Sequence, residues 1–230
     1  MADRLRELAL IPLFASLNTS ERRAISALAR TKTYDEGQQI FGQGDPGGPM
    51  FAVLSGHLKV IVAGVDGNDV VFTVMGRGEV FGELSVLDGA PRSASIVAMT
   101  RTEVLVLDRE PFLAFVRASP DTSIKLLKIL AARIRRLSDE REQMVSLDVA
   151  ARLAKRLAQM VAEYGEPVSD GALRISIRIS QRDLGAWIGT TRETVNKFLK
   201  RWSRQGLLRF ESGHIFVTDV AGLKSLAATV

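Results

Sequence analysis

Two opposite charges, Glu83 and Arg92, stand in a stretch of this sequence suited to holding a small charged molecule. The stretch, FGELSVLDGAPRSAS over 81–95, reads as a strand end at Phe81, a glycine turn and one short helical turn over 83–87. A second turn at Gly89-Ala-Pro91 follows, with a new strand from Ser93. The first backbone N–H groups of a short helix lack intrahelical partners. With a guanidinium beside them they form a site for one small anion with a polar body. A glycine-bounded surface turn closed by a local Glu83–Arg92 ion pair is the alternative reading of the same residues. No nucleophile–base set, paired-carboxylate site or P-loop accompanies them, so no enzyme is expected.

Composition narrows the classes further. There is no cysteine, which excludes disulfides, cysteine-ligated clusters and thiol redox sensing. With only His57 and His214, a multi-histidine metal centre is not expected, and His57 on a strand reads as a structural histidine. No apolar run reaches membrane-span length, and MADRLRELALIPLF lacks signal-peptide architecture, so no membrane partner and a cytoplasmic location are expected. Charge is unevenly placed. Residues 1–145 carry 18 Lys/Arg against 18 Asp/Glu, whereas 146–230 carry 13 against 8, the whole net excess of +5. A basic C-terminal segment points to a polyanion, nucleic acid first.

The elements that must position these residues follow in order. Residues 3–30 read as helix broken at Pro12, reopening with Thr19 or Ser20 as N-cap. From Thr33 to Asp108, glycine-punctuated runs rich in valine, isoleucine and phenylalanine predict short strands at 50–55, 57–62, 70–75, 93–99 and 102–107. Asp66-Gly67 marks a hairpin, and the even spacing predicts a sandwich or barrel. A short helix over 109–118 precedes a long one opened by Pro120. Along it Leu127, Leu130, Ile134, Leu137, position 141 and Met144 recur at 3- and 4-residue spacing, a coiled-coil seam interrupted by Arg141. No second heptad region exists in the chain to pair with it, which predicts a homodimer.

A hinge near 144–148 leads to a helix over 148–164, stopped by Gly165 and Pro167, and a strand over 173–179. Ser180 caps a helix through Ile188, Gly189 and Thr190 turn, and Thr191 caps a second helix, 192–204, closed by Gly206. That is a helix-turn-helix. Val195, Phe198, Leu199 and Trp202 share the docking face of its second helix, and Arg192, Glu193, Asn196, Lys197 and Lys200 the free one. Segments 208–210 and 214–217, joined by Glu-Ser-Gly, read as a wing hairpin with His214 near its tip.

The stretch over 81–95 resembles the phosphate-binding cassette of cyclic-nucleotide-binding domains, as in bacterial cyclic-AMP receptor proteins and the regulatory subunits of protein kinase A. TRETVNKFLK over 191–200 resembles the recognition helix of the cyclic-AMP receptor proteins. With a dimer helix between the two motifs, the chain is similar throughout to the cyclic-AMP receptor/FNR superfamily. The resemblance implies an α+β chain: a β-roll (jelly-roll-like) cyclic-nucleotide-binding domain over 1–118, a long dimerisation helix over 119–145, and a winged helix-turn-helix domain over 146–230. It places the ligand at Phe81, Gly82, Glu83, Leu84, Arg92, Ser93 and Ala94. Amides come from Gly82, Glu83 and Leu84, the ribose hydroxyl goes to Glu83, and the phosphate goes to Arg92 and Ser93. Val60, Phe72 and Val74 are expected in the pocket floor.

Leu137 and Ser138 align where the family carries a Thr–Ser or Thr–Asn pair that bonds adenine. Leu137 makes no hydrogen bond, a loss of about 1–3 kcal/mol. On DNA, Arg192 is expected to read guanine and Glu193 cytosine. Lys197 stands where the family has arginine, and Gln181 and Thr191 are expected at phosphates. No prosthetic group is implied, and without cysteines the iron–sulfur branch is excluded. Cyclic AMP is the implied effector. The implied partners are palindromic double-stranded DNA, a second copy of the chain and RNA polymerase. A regulator with another effector or none, and a sensor whose C-terminal domain binds protein, remain as alternatives. On this reading Arg92→Ala removes effector response and leaves the fold and the dimer intact.

Overall fold

The computed structural model describes residues 2–15, 17–63 and 69–228. The chain divides into two compact units, Met1–Arg135 and Arg136–Val230.

In the first unit, α1 (Ala2–Leu10) and α2 (Thr19–Leu28) precede β1 (Ala29–Tyr34), β2 (Gln39–Phe41), β3 (Met50–Ser55), β4 (Leu58–Ala63), β5 (Asp69–Met75) and β6 (Val80–Phe81). Then come α3 (Glu83–Asp88), β7 (Ser95–Ala98), β8 (Thr102–Leu107), α4 (Arg109–Ala118) and α5 (Pro120–Ser146), which runs on into the second unit. Among the described residues these strands form two antiparallel sheets, ordered β1-β8-β3-β6 and β2-β7-β4-β5. Strand β3 is buried on both faces, which is why it reads as an unbroken apolar run. Phe51 and Val53 enter the core between the sheets with Val104, Val106, Leu58, Val60 and Ile96. Met50, Ala52 and Leu54 enter a second core against Leu8, Phe14, Ile25, Phe112 and Leu126 of the helices. This is the β-roll, with α3 as its inserted helix.

This unit departs from the sequence expectation at four points. Asn18, not Thr19 or Ser20, caps α2, accepting from Glu21 N at 3.0 Å while the Glu21 carboxylate accepts from Asn18 N. The helix ends at Leu28, because 29–34 alternate and pair with β8. Strand β7 begins at Ser95 rather than Ser93. Of the expected pocket floor only Val60 faces the inter-sheet core. Val74 pairs with Lys59 on the opposite face of its sheet, and Phe72 is exposed there. Met75 is the inward residue, so the expectation was one residue out of register. The Asp66-Gly67 turn and the side chain of Met144 lie outside the described residues.

The second unit contains α6 (Val149–Tyr164), β9 (Gly165–Pro167), β10 (Leu173–Ile175), α7 (Gln181–Ile188), α8 (Arg192–Arg204), β11 (Leu208–Glu211), β12 (His214–Val217) and α9 (Val220–Ala227). Its sheet has the order β11-β12-β10-β9. Asp148 is the cap of α6 rather than its first residue, accepting from Ala151 N at 2.7 Å. Strand β10 stops at Ile175, short of 179. Gly165 has extended rather than left-handed backbone. Its glycine is needed because a Cβ would run into Val161 O. Among the described residues no helix is long and apolar enough to cross a membrane, and no cluster of three or more His, Cys, Asp or Glu has metal-site geometry.

Candidate functional site

The cassette is built around Gly82, whose φ of +73° admits glycine best. A Cβ there would also stand 2.6 Å from Arg92 Nη1 and 3.2 Å from Pro49 O. Helix α3 starts at the next residue and ends at Gly89, whose N–H donates to Ser85 O. Glu83, in the first turn, is 1 % exposed. Its carboxylate pairs with Arg133 Nη1, and Arg133 Nη2 donates to Val80 O. Burial raises the Glu83 carboxyl above the usual carboxylate range. Arg133 opposes that shift most, ahead of its own backbone hydrogen bond and Arg92.

Arg92 is 5 % exposed and turned inward. It donates from Nη1 to Gly82 O at 3.0 Å and from Nη2 to Pro49 O at 2.8 Å. Its guanidinium lies 4.2 Å from the Phe41 ring centroid, in a cluster where Phe51 and Phe81 stack at 4.9 Å. The glycine-rich loop over 42–49 wraps it, with Gly44 N donating to Arg92 O and Arg92 N to Asp45 O. Burial lowers the Arg92 pKa, against opposing contributions from Asp45 and Glu83.

Phe81, Gly82, Glu83, Arg92 and the partly buried Ala94 thus converge at one end of the inter-sheet core, with Leu84 and Ser93 exposed beside them. The two charges do not close on each other. Glu83 takes its cation from α5, 50 residues away, so the local-ion-pair alternative is not the arrangement that forms. Sequence reasoning missed Arg133. The available signal was that a buried acid needs a cation, but Arg133, Arg135 and Arg136 fit that need equally well in sequence. Leu137 and Ser138 are exposed positions of α5 within the second unit. The cluster offers an acceptor, a guanidinium and the first amides of a helix, a set matched to an anionic, hydroxylated ligand.

The second unit presents a different surface. Ser180 Oγ accepts from Asp183 N at 3.0 Å to open α7, and left-handed Gly189 (φ +69°) closes it. Thr191 Oγ1 accepts from Thr194 N at 3.2 Å to open α8. A Cβ at Gly185 would come within 2.8 Å of Thr190 O, so glycine is what lets the turn press onto α7. Val195, Leu199 and Trp202 are buried, and Phe198 packs half-buried on Trp202 at 5.9 Å. Thr191, Arg192, Glu193, Lys197 and Lys200 are exposed, and Asn196 and Gln181 partly so. The hairpin β11–β12 turns through Ser212 (φ +49°) and Gly213 (φ +79°), the two left-handed positions of a tight two-residue turn. The arrangement is a winged helix-turn-helix with a polar, basic helix face.

Two family models match the chain: the cyclic nucleotide-binding domain over residues 31–119 and the Crp-like helix-turn-helix domain over 151–226. The chain is 30% identical over 207 residues to a CRP-like cAMP-activated global transcriptional regulator of Mycobacterium tuberculosis, covering 90% of this chain and 92% of that protein. It is 32% identical over 216 residues to the cyclic AMP receptor protein of Thermus thermophilus, covering 94% and 96%. The c-di-GMP-responsive global regulator CLP of Xanthomonas campestris shares the fold, with a TM-score of 0.74 at 21% identity over 87% of this chain and 99% of that one. With a cyclic-nucleotide-binding β-roll and a DNA-binding winged helix-turn-helix in one chain, the protein belongs to the CRP/FNR family of transcription regulators.

Proposed function

We propose that this regulator is a cytoplasmic homodimer whose affinity for palindromic DNA is set by a cyclic nucleotide, cyclic AMP first, bound at the cassette. The observation that carries the reading is the buried Glu83 and Arg92 at the front of α3. Residues 1–118 serve as sensor, 119–145 as dimerisation helix and 146–230 as DNA-binding domain. The amides of Gly82, Glu83 and Leu84 and the Arg92 guanidinium receive the phosphate, assisted by Ser93. Glu83 accepts from the ribose hydroxyl, and Phe81 and Ala94 line the apolar side. Arg92 then exchanges Gly82 O and Pro49 O for phosphate oxygens, a stronger charge-assisted pairing. Arg192 and Glu193 read bases in the major groove, Asn196, Lys197 and Lys200 border them, and Gln181 and Thr191 hold phosphates.

The dimer reading is supported by the seam of α5, where Leu127 is 60% exposed and Ile134 and Leu137 are exposed as well. Leu127→Glu is expected to shift the sedimenting species from dimer to monomer. Ligand at the cassette orders the end of α5 across the dimer and so sets the two recognition helices one DNA turn apart. RNA polymerase is the expected downstream partner.

Leu137 motivates a second reading, in which the effector is another cyclic nucleotide. Ser138 keeps a hydroxyl beside it, but an apolar side chain gives up one bond to a base edge. Calorimetric titration of the purified protein with cyclic AMP, cyclic GMP and cyclic di-GMP separates the two. Micromolar or tighter cyclic AMP supports the first, preference for another nucleotide supports the second, and no binding of any refutes both. Steep linear dependence of log K on log salt for duplex binding tests the DNA-facing half.

A further inference from the structure

Three arginines hold α3, and only two of them reach its front. Arg92 bonds Gly82 O, and Arg133 bonds Glu83 and Val80 O. Arg109 closes the rear: its Nε donates to Val86 O at 3.1 Å, and a Cβ on Gly89 would lie 3.6 Å from its Nη2. The last carbonyls of a helix have no partners within it and carry partial negative charge, so a guanidinium there is favourable. Arg109 Nη1 pairs separately with Glu110 at 2.8 Å, which leaves the Nε bond to α3 undisturbed.

The other end of this contact is firmly placed. Arg109 is the first residue of α4, next to Asp108, which pairs with Arg30 of β1 at 2.6 Å. Phe112, one turn on, is fully buried. Helix α4 is tied to the start of α5 through buried Ser119 and Thr122, whose hydroxyls meet at 2.9 Å, and through Ser123 Oγ donating to Val116 O. Arg109 thus links the rear of α3 to the α4–α5 elbow.

We propose that Arg109 is a positioning residue of the effector site, coupling the rear of α3 to α4 without touching the ligand. The proposal rests on the effector reading above. Arg133 contacts the ligand-binding carboxylate, so its loss mixes binding with transmission. Arg109 contacts none of the binding groups, so its two effects separate.

The test compares the full-length protein with Arg109→Leu, which has no donor for Val86 O, and Arg109→Gln, which keeps one. Cyclic nucleotide affinity and duplex affinity with and without the nucleotide are measured for each. Arg109→Leu is expected to keep nucleotide affinity within about twofold while losing at least about fivefold of the nucleotide-driven gain in DNA affinity, the lower end of usual coupling. Arg109→Gln should recover most of that loss. A full gain in Arg109→Leu overturns the proposal and leaves the effector reading standing. So does a fall in nucleotide affinity as large as the fall in coupling, or a loss that Arg109→Gln does not relieve. A wild-type protein whose DNA affinity ignores every cyclic nucleotide overturns the effector reading and this proposal with it.

Discussion

The structural bonds of Arg92 change the expectation for Arg92→Ala: besides abolishing effector binding, it should destabilise the nucleotide-free protein while leaving it folded. Removing the side chain deletes two charge-assisted hydrogen bonds, to Gly82 O and Pro49 O, and a cation–π contact with Phe41. Hydrogen bonds from charged groups contribute about 1.5–3 kcal/mol each, and a desolvated cation–π contact roughly 0.5–2 kcal/mol. Against this stands relief from burying the guanidinium, the main cause of its lowered pKa. The two carbonyls left behind and the space beside Phe41 keep the balance unfavourable, at about 2–4 kcal/mol. The assay is urea unfolding without nucleotide, followed by far-ultraviolet circular dichroism. Both tryptophans, Trp187 and Trp202, lie in the second unit, so their emission is an internal control for that half. The circular dichroism transition of the first unit should move to lower urea while the tryptophan transition stays in place. A loss below about 0.5 kcal/mol, the range of ordinary surface substitutions, would refute the reasoning.

Other outcomes follow from the same geometry. Glu83 is protonated more readily in the folded chain than in the unfolded one. Its contribution to stability is therefore greatest at low pH and declines as pH rises from about 4.3 through its elevated folded pKa. The stability difference between wild type and Glu83→Gln, read from urea midpoints across that window, should fall with pH; a flat difference counts against the burial argument. Gly82→Ala forces an alanine into left-handed backbone and sets its Cβ against Arg92 Nη1. At least about 1 kcal/mol of stability should go, along with nucleotide binding by calorimetry. Arg192→Ala should cost about 1–3 kcal/mol and relax preference at one guanine per half-site in a binding-site selection. A uniform loss on all duplexes would assign Arg192 to phosphate.

Local chemistry made much of this protein legible in advance. Gly82, Gly89 and Pro91 bracket α3, Ser180 and Thr191 cap the two helices of the helix-turn-helix, and Gly189 turns between them. Each is a contact over a few residues, so the sequence determines it directly. The same holds for Pro120 opening α5, and for the alternation of apolar and polar residues along α8. Face assignment in β5 failed by one residue because alternation gives two faces without saying which is inward. Pairing with β4 decides it. The continuation of strand pairing to 29–34 was likewise settled by β8.

What the tertiary structure alone decided is who partners the two charges. Sequence proximity offers a Glu83–Arg92 pair as the alternative reading, yet Glu83 meets Arg133 and Arg92 meets Gly82 O and Pro49 O. A buried ion takes the partner that the packed chain brings within reach, and that choice is made when sheets and helices close around it. Arg109, only partly buried at the rear of α3, likewise takes its partner from the packed chain. Its donor finds a carbonyl 23 residues away, a pairing to which no spacing in the sequence points.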